Sequence, residues 1–170
     1  VKLYKEHKTN PLASCFPILA QAPIFFALFT VLNGIGADPI VTRGVLTQAD
    51  GASAAKAEFF GAPISETFMS SDITTVKIVT AALIIFMSAT TFTTQRQLMT
   101  KGMPKMDSSY NMMLKQQKVM LYAFPLIFAF SGVHFPVGVL IYWSTTNLWT
   151  WGQQFYVIKR NPTPGSPAYE

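Results

Sequence analysis

What most constrains this chain is where charge is missing. From Thr9 to Ala37 there are 29 consecutive residues without Asp, Glu, Lys or Arg; from Ile78 to Gln95 there are 18, and from Val119 to Ile158 there are 40. A bilayer's hydrocarbon core, about 30 Å thick, takes about 20 helical residues to cross. The first gap therefore holds one span, 12–32, and the second holds one, 75–98. The third gap is long enough for two. The run Ser131-Gly132-Val133-His134-Phe135-Pro136-Val137-Gly138 breaks it, because Gly and Pro punctuate helices. The two parts are spans 119–133, which is short, and 137–158. The expected fold class is all-α: a polytopic membrane helical bundle with four transmembrane helices.

Composition agrees. Of 170 residues 50% are hydrophobic, 14% aromatic and only 12% charged, and the mean hydropathy is +0.31. A soluble domain carries roughly 25% charged residues. Such a chain is not intrinsically disordered, which takes low hydrophobicity and high net charge, and it lacks the charge to coat a water-soluble globule. A single cysteine, Cys15, excludes an internal disulfide or a multi-thiolate metal site, and His7 and His134 lie far apart. The common nucleotide-binding and hydrolase signatures are absent. The expectation is no metal, no cofactor, no catalytic residue and no enzymatic activity.

The loops set the orientation, because basic residues mark the cytoplasmic side. Segment 1–11 has Lys2, Lys5 and Lys8 against Glu6. Loop 99–118, together with Arg96 before it, has Lys101, Lys105, Lys115 and Lys118 against Asp107, and tail 159–170 has Lys159 and Arg160 against Glu170. Segment 33–74 is acidic, with Asp38, Asp50, Glu58, Glu66 and Asp72 against Arg43 and Lys56. Both ends and the basic loop are expected in the cytoplasm, and 33–74 outside. Within 33–74 a short amphipathic helix is expected near Ser53–Phe60. The opening at Val1, inside a helix-like Lys-Leu-Tyr-Lys-Glu-His-Lys, reads as a fragment without its upstream portion, and the Pro-rich close reads as an unstructured tail.

The spans lack charge but not polarity. At 100° per residue Thr80, Met87, Thr91, Thr94 and Gln95 share one face, with Ser88 at its margin. Trp143, Asn147, Thr150 and Gln154 form a second stripe, flanked by Ser144 and Trp151, and Gln21 with Ser14 forms a third. A membrane Ser or Thr commonly bonds back to its own backbone, and a lone amide glues helices together. Three stripes carrying the amides of Gln21, Asn147 and Gln154 ask for more, because apolar neighbours cannot satisfy them; a hydrated groove would. Pro17, Pro23 and Pro125 are expected to kink their spans. Met99, Met103, Met106, Met112 and Met113 crowd the basic loop, either as an adaptable apolar contact surface or as a helix lying on the membrane. The loop lysines are placed to engage ribosomal RNA or acidic headgroups.

Three stretches carry a resemblance. Asn10-Pro-Leu-Ala-Ser-Cys-Phe-Pro-Ile-Leu-Ala-Gln-Ala-Pro-Ile-Phe-Phe-Ala-Leu-Phe29 and Phe135-Pro-Val-Gly-Val-Leu-Ile-Tyr-Trp-Ser-Thr-Thr-Asn-Leu-Trp-Thr-Trp-Gly-Gln-Gln-Phe155 are long and specific, and Lys118-Val-Met-Leu-Tyr-Ala-Phe-Pro-Leu-Ile-Phe128 is a weaker match. The chain resembles the YidC/Oxa1/Alb3 membrane protein insertases. The resemblance implies that the four spans are the last four of a five-span core, and that 1–11 is the end of a cytoplasmic helical hairpin. It further implies a substrate groove within the membrane, with Gln21, Tyr142, Trp143 and Asn147 on or near it; Thr91, Gln95, Thr146, Thr150 and Gln154 complete the expected groove set. The family also places an arginine on its first core span, and no residue here matches that position. Implied partners are nascent membrane proteins and the lipid bilayer, with a ribosome and a translocation channel complex as further candidates. The implied location is the bacterial plasma membrane.

A groove with neutral lining would hydrate a polar segment part-way across the bilayer, where a charge costs about 2.5–3.5 kcal/mol on insertion scales. A small-solute channel or transporter would use the same stripes as a path, although no carboxylate lies within the spans. A purely structural subunit would bury them in helix contacts. If the groove reading holds, crosslinkers at Gln21, Trp143 or Asn147 should capture a nascent chain better than one at Leu140, expected to face outward.

Overall fold

The computed structural model describes residues 16–102 and 111–169. Residues 1–11, Ser14, Cys15, Met103, Lys105, Met106 and Asp107, each given a place above, lie outside the described residues.

The described chain is mostly helical. Helix α1 is Phe16–Ile35, and α2 is the short Gln48–Ala55. Strands β1, Glu58–Phe59, and β2, Ala62–Pro63, pair antiparallel, with Phe59 opposite Ala62. Helix α3, Thr74–Gln97, continues into a wider π-helical turn at Leu98–Gly102; α4 is Asn111–Gly132 and α5 is Val137–Arg160. Pro23 lies inside α1 and Pro125 inside α4, each removing one intrahelical donor.

Contacts fix the directions. Val76 near the start of α3 packs with Val137 at the start of α5, and further along Asn147 reaches the Met87 carbonyl, so the two helices run parallel. Helix α4 runs against them: Gly132 at its end meets Ile84, while Ser88 donates to the Pro125 carbonyl at 3.3 Å. The second half of α1 packs on the start of α5 through Leu32, Ile35 and Val139. A further cluster of Ile84, Met87 and Leu140 joins α3 to α5.

The start of α5 is finished by the outer segment. Pro136 precedes the helix and provides no side-chain cap, so the first N–H groups of α5 need partners from elsewhere. Val137 N–H donates to Glu66 O at 2.9 Å, Gly138 N–H to Ile64 O at 2.8 Å, and Val139 N–H to Pro136 O at 3.0 Å. Met69 N–H donates to Val133 O at 3.3 Å, and Thr67 bridges Pro136. Residues 64–69 are thus stitched by backbone bonds to the α4–α5 turn.

Helix α4 begins before the expected span 119–133: it has 22 residues and takes in Lys115 and Lys118, because no Gly or Pro interrupts 111–124 and its Met, Lys and Gln residues are good helix formers. Two expectations change. The short helix of the outer segment is not Ser53–Phe60. It starts earlier, where Thr47 and Asp50 form a capping box, and ends before Glu58 and Phe59 enter the hairpin. Leu140 does not face outward. It is 0% exposed, packed against Ile84 and Met87; three residues before Trp143, it shares the face of the polar stripe.

Among the described residues one helical stretch, Thr74–Gly102, 29 residues long, is long and apolar enough to cross a membrane, and Leu19–Ile35 is apolar but shorter. The sequence led to four spans. Helix α5 is diluted by Thr145, Thr146, Asn147, Thr150, Gln153 and Gln154, and α4 by its polar start. All four long helices nonetheless expose large apolar side chains, among them Leu19 and Phe26 on α1, Ile78 and Ile85 on α3, Leu126 and Phe130 on α4, and Leu148 and Trp149 on α5.

Candidate functional site

Parallel alignment of α3 and α5 brings two of the polar stripes together. Asn147 Nδ2 donates to Thr91 Oγ1 at 3.0 Å and lies 3.4 Å from the Met87 carbonyl. Beside this link is a cleft of about 200 Å³, lined by Thr91, Thr94 and Gln95 of α3, Phe124 and Phe128 of α4, and Asn147 and Thr150 of α5. One wall is amide and hydroxyl, the other aromatic, and no lining residue is charged. Such a surface offers hydrogen bonds to a polar segment without selecting by sign.

Aromatic rings close one end. Trp143 sits with its ring centroid 4.6 Å from Phe128, 5.4 Å from Phe25 and 6.0 Å from Phe135. Phe25 and Phe29 each meet Phe135 edge-on at 5.4 Å. Such edge-to-face pairs add to the gain from burial alone. This cluster ties α1, α4 and α5 together on the side of the outer segment, so Trp143 roofs the cleft rather than lining it. Next to it, Gln21 Nε2 donates to the Tyr142 hydroxyl, linking α1 to α5.

Of the nine residues singled out from sequence, Thr91, Gln95, Asn147 and Thr150 meet in one cleft. Gln21 and Tyr142 form a separate pair. Thr146 is exposed and returns its hydroxyl to Tyr142 O at 3.0 Å; Gln154 is half-buried and does not line the cleft. Most of the threonines bond backward along their own helix: Thr94 to Thr90 O at 2.7 Å, Thr150 to Thr146 O at 2.9 Å and Thr145 to Ile141 O at 2.8 Å. Thr91 is different in accepting a bond from another helix. Thr80 and Ser144, also on or beside the stripes, are buried with unpartnered hydroxyls in the packed outer half.

The aromatic wall was missed. Phe124 and Phe128 stand at i and i+4, a spacing that puts both on one face of α4, but nothing in their type separates them from lipid-facing phenylalanines. A larger open recess of about 500 Å³ lies elsewhere on α5, bounded by Thr145, Leu148, Trp149, Gly152, Gln153 and Tyr156. None of the nine lines it. Among the described residues no group of His, Cys, Asp or Glu is gathered to hold a metal ion.

The family model described as "60Kd inner membrane protein" matches residues 1–164. A membrane protein insertase YidC of Streptomyces avermitilis is 52% identical over 99% of this chain and 40% of its own length. One from Tropheryma whipplei is 36% identical over 100% of this chain and 57% of its own length, and one from Mycobacterium tuberculosis 28% identical over 92% and 49%. The chain spans about half the length of the curated relatives it matches. No solved structure matches it significantly. With nearly its whole length matched by the family model, the chain belongs to the 60Kd inner membrane protein family, that of the YidC/Oxa1/Alb3 membrane insertases.

Proposed function

We propose that the protein carrying this chain inserts nascent integral membrane proteins into the bacterial plasma membrane and helps them fold, using the polar cleft and hydrolysing no nucleotide. The observation that carries this reading is the uncharged cleft between α3, α4 and α5, with Asn147 bonded to Thr91, inside helices whose outer faces are apolar. Large apolar side chains exposed along a whole bundle belong in lipid, not water. On that ground all four long helices are spans, α4 and α5 being polar where they line the cleft. Loop charge supports a topology with both ends of the chain in the cytoplasm and residues 33–74 outside.

A passing polar segment exchanges hydration for the amides of Gln95 and Asn147 and the hydroxyls of Thr91 and Thr150. The barrier falls because the segment need not enter hydrocarbon bare, and neutral groups release it again. Gln21, Tyr142 and Trp143 act at the roof, Thr146 and Gln154 along the inward continuation of α5, and Pro17, Pro23 and Pro125, the expected kink positions, would shape the opening. Nascent membrane proteins and the bilayer are the partners, and the basic residues Lys101, Lys115 and Lys118 suit a ribosome or a translocation complex at the cytoplasmic face.

The test is reconstitution of the full-length protein in liposomes. A single-span substrate should insert without ions passing. Conductance without insertion would favour a channel, and neither activity would leave a structural subunit. Crosslinkers at Asn147 and Gln95 should capture a stalled nascent chain several-fold better than one at Ile85, which is 69% exposed on the lipid-side face of α3. Equal capture would overturn the assignment of the cleft.

A further inference from the structure

The hairpin of the outer segment holds a residue that its turn does not favour. Strands β1 and β2 are joined by two residues only, Phe60 and Gly61, with φ of +50° and +77°. Positive φ at both central positions defines the type I′ turn, whose usual residues are Asn, Asp and Gly. A bulky side chain in the left-handed region is an outlier. Strain of this kind persists where a site has a use for it.

Among the described residues nothing repays it. Phe60 is 81% exposed, and its one aromatic neighbour among the described residues is Phe59, edge-on at 4.7 Å. Phe59 turns the other way, into the cluster of Ala62, Val76 and Val137. A Cβ on Gly61 would lie 3.5 Å from the Thr75 side chain, so the tip stands level with the first turn of α3. At that end of α3 Ile73 and Ile78 also expose apolar side chains.

We infer that Phe60 anchors the outer segment in lipid: the hairpin tip enters the headgroup–acyl boundary of the leaflet at the starting end of α3. Apolar faces of interfacial helices, which often carry Phe, Trp or Leu, sink about 5–10 Å into that boundary, and an exposed hairpin phenylalanine has the same driving force. The outer segment is then a part of the membrane interface, held down at its hairpin, and not a loop standing in water. Lipid is the occupant because the tip continues the apolar surface of the spans. The inference rests on the reading of Thr74–Gly102 as a span.

Spin labels test it in the full-length protein, on a Cys15→Ser background, in phosphatidylcholine–phosphatidylglycerol vesicles. Labels go in through Phe60→Cys, where the apolar nitroxide ring takes the place of the phenyl ring, Ser53→Cys and Ile85→Cys, and collision with oxygen is compared with collision with a water-soluble nickel chelate. The oxygen-to-nickel ratio at 60 should be several-fold above that at 53 and approach that at 85. A ratio at 60 equal to that at 53, with 85 still in lipid, overturns the anchor. Shielding of 60 from both reagents also overturns it, by showing a protein cover. Nickel access at 85 removes the span and the anchor with it. In a second measurement, a label on Glu58 should shift toward water when Phe60→Asn, a change that suits the turn, is introduced. No shift would again overturn the anchor.

Discussion

Asn147 is a strong donor and acceptor placed where lipid would satisfy neither role. Its amide spans two helices, bonding the Thr91 hydroxyl and approaching the Met87 carbonyl, while part of it still faces the cleft. Interhelical polar pairs of this kind contribute about 0.6 kcal/mol on average and up to about 1.7. A double-mutant cycle of Asn147→Leu with Thr91→Val, read by unfolding in bicelles, should give a coupling in that range; zero coupling would mean the bond is not formed. Asp50 is the contrasting residue, exposed and outside the membrane. The hydroxyl and then the backbone N–H of Thr47 donate to its carboxylate and hold it below the usual carboxylate range. A lowered pKa means the cap supports α2 above the ordinary carboxylate value and is lost as pH falls through the lowered one. Carboxyl NMR should find the Asp50 midpoint below about 3.9, the ordinary value, and Thr47→Ala should raise it.

Helix α5 shows how site and span compete for the same residues. The amides and hydroxyls that line the cleft dilute its apolar character, so α3 passes a length-and-composition test for a span while α5 does not. Gaps in charge single out both as candidate spans, because hydrocarbon excludes ions far more strongly than it excludes Thr or Asn. The joining of the stripes was half legible. A helical wheel puts Asn147 and Thr150 on one face and Thr91 and Gln95 on another, but only packing tells which faces meet. The same wheel puts Leu140 beside Asn147, and its burial could have been read there. The stitching of residues 64–69 to the start of α5 was not legible, since it is made of backbone groups distant in sequence. Nor was the close approach at the end of α1, where a Cβ on Gly34 would overlap the Val41 carbonyl. Gly34→Ala has to displace that backbone, and its own carbonyl accepts from Val41 N–H at 2.9 Å. The expected loss is about 1–3 kcal/mol, measured by thermal unfolding in detergent; an unchanged Tm would contradict the packing.

At the scale of the molecule, the outer segment and the basic loop lie at opposite ends of α3, so they should face opposite sides of the membrane. In sealed, uniformly oriented vesicles on a Cys15→Ser background, a thiol from Ser53→Cys should react with an impermeant reagent on one side only and one from Lys101→Cys on the other. Reaction of both from one side would rule out α3 as a single crossing. The stitched end has a mechanical consequence. The starts of α3 and α5, the end of α4 and the second half of α1 are bound together by the outer segment and the ring of Phe25, Phe29, Phe135 and Trp143, whereas at the far end α1 has no comparable fastening among the described residues. At that far end α3 and α5 still touch, Gly102 lying against Ile158, so the arm expected to part is α1, pivoting on the joined end as one limb of a pair of tweezers. A segment using the cleft as proposed is then expected to come in from the unfastened side and to meet the joined end last.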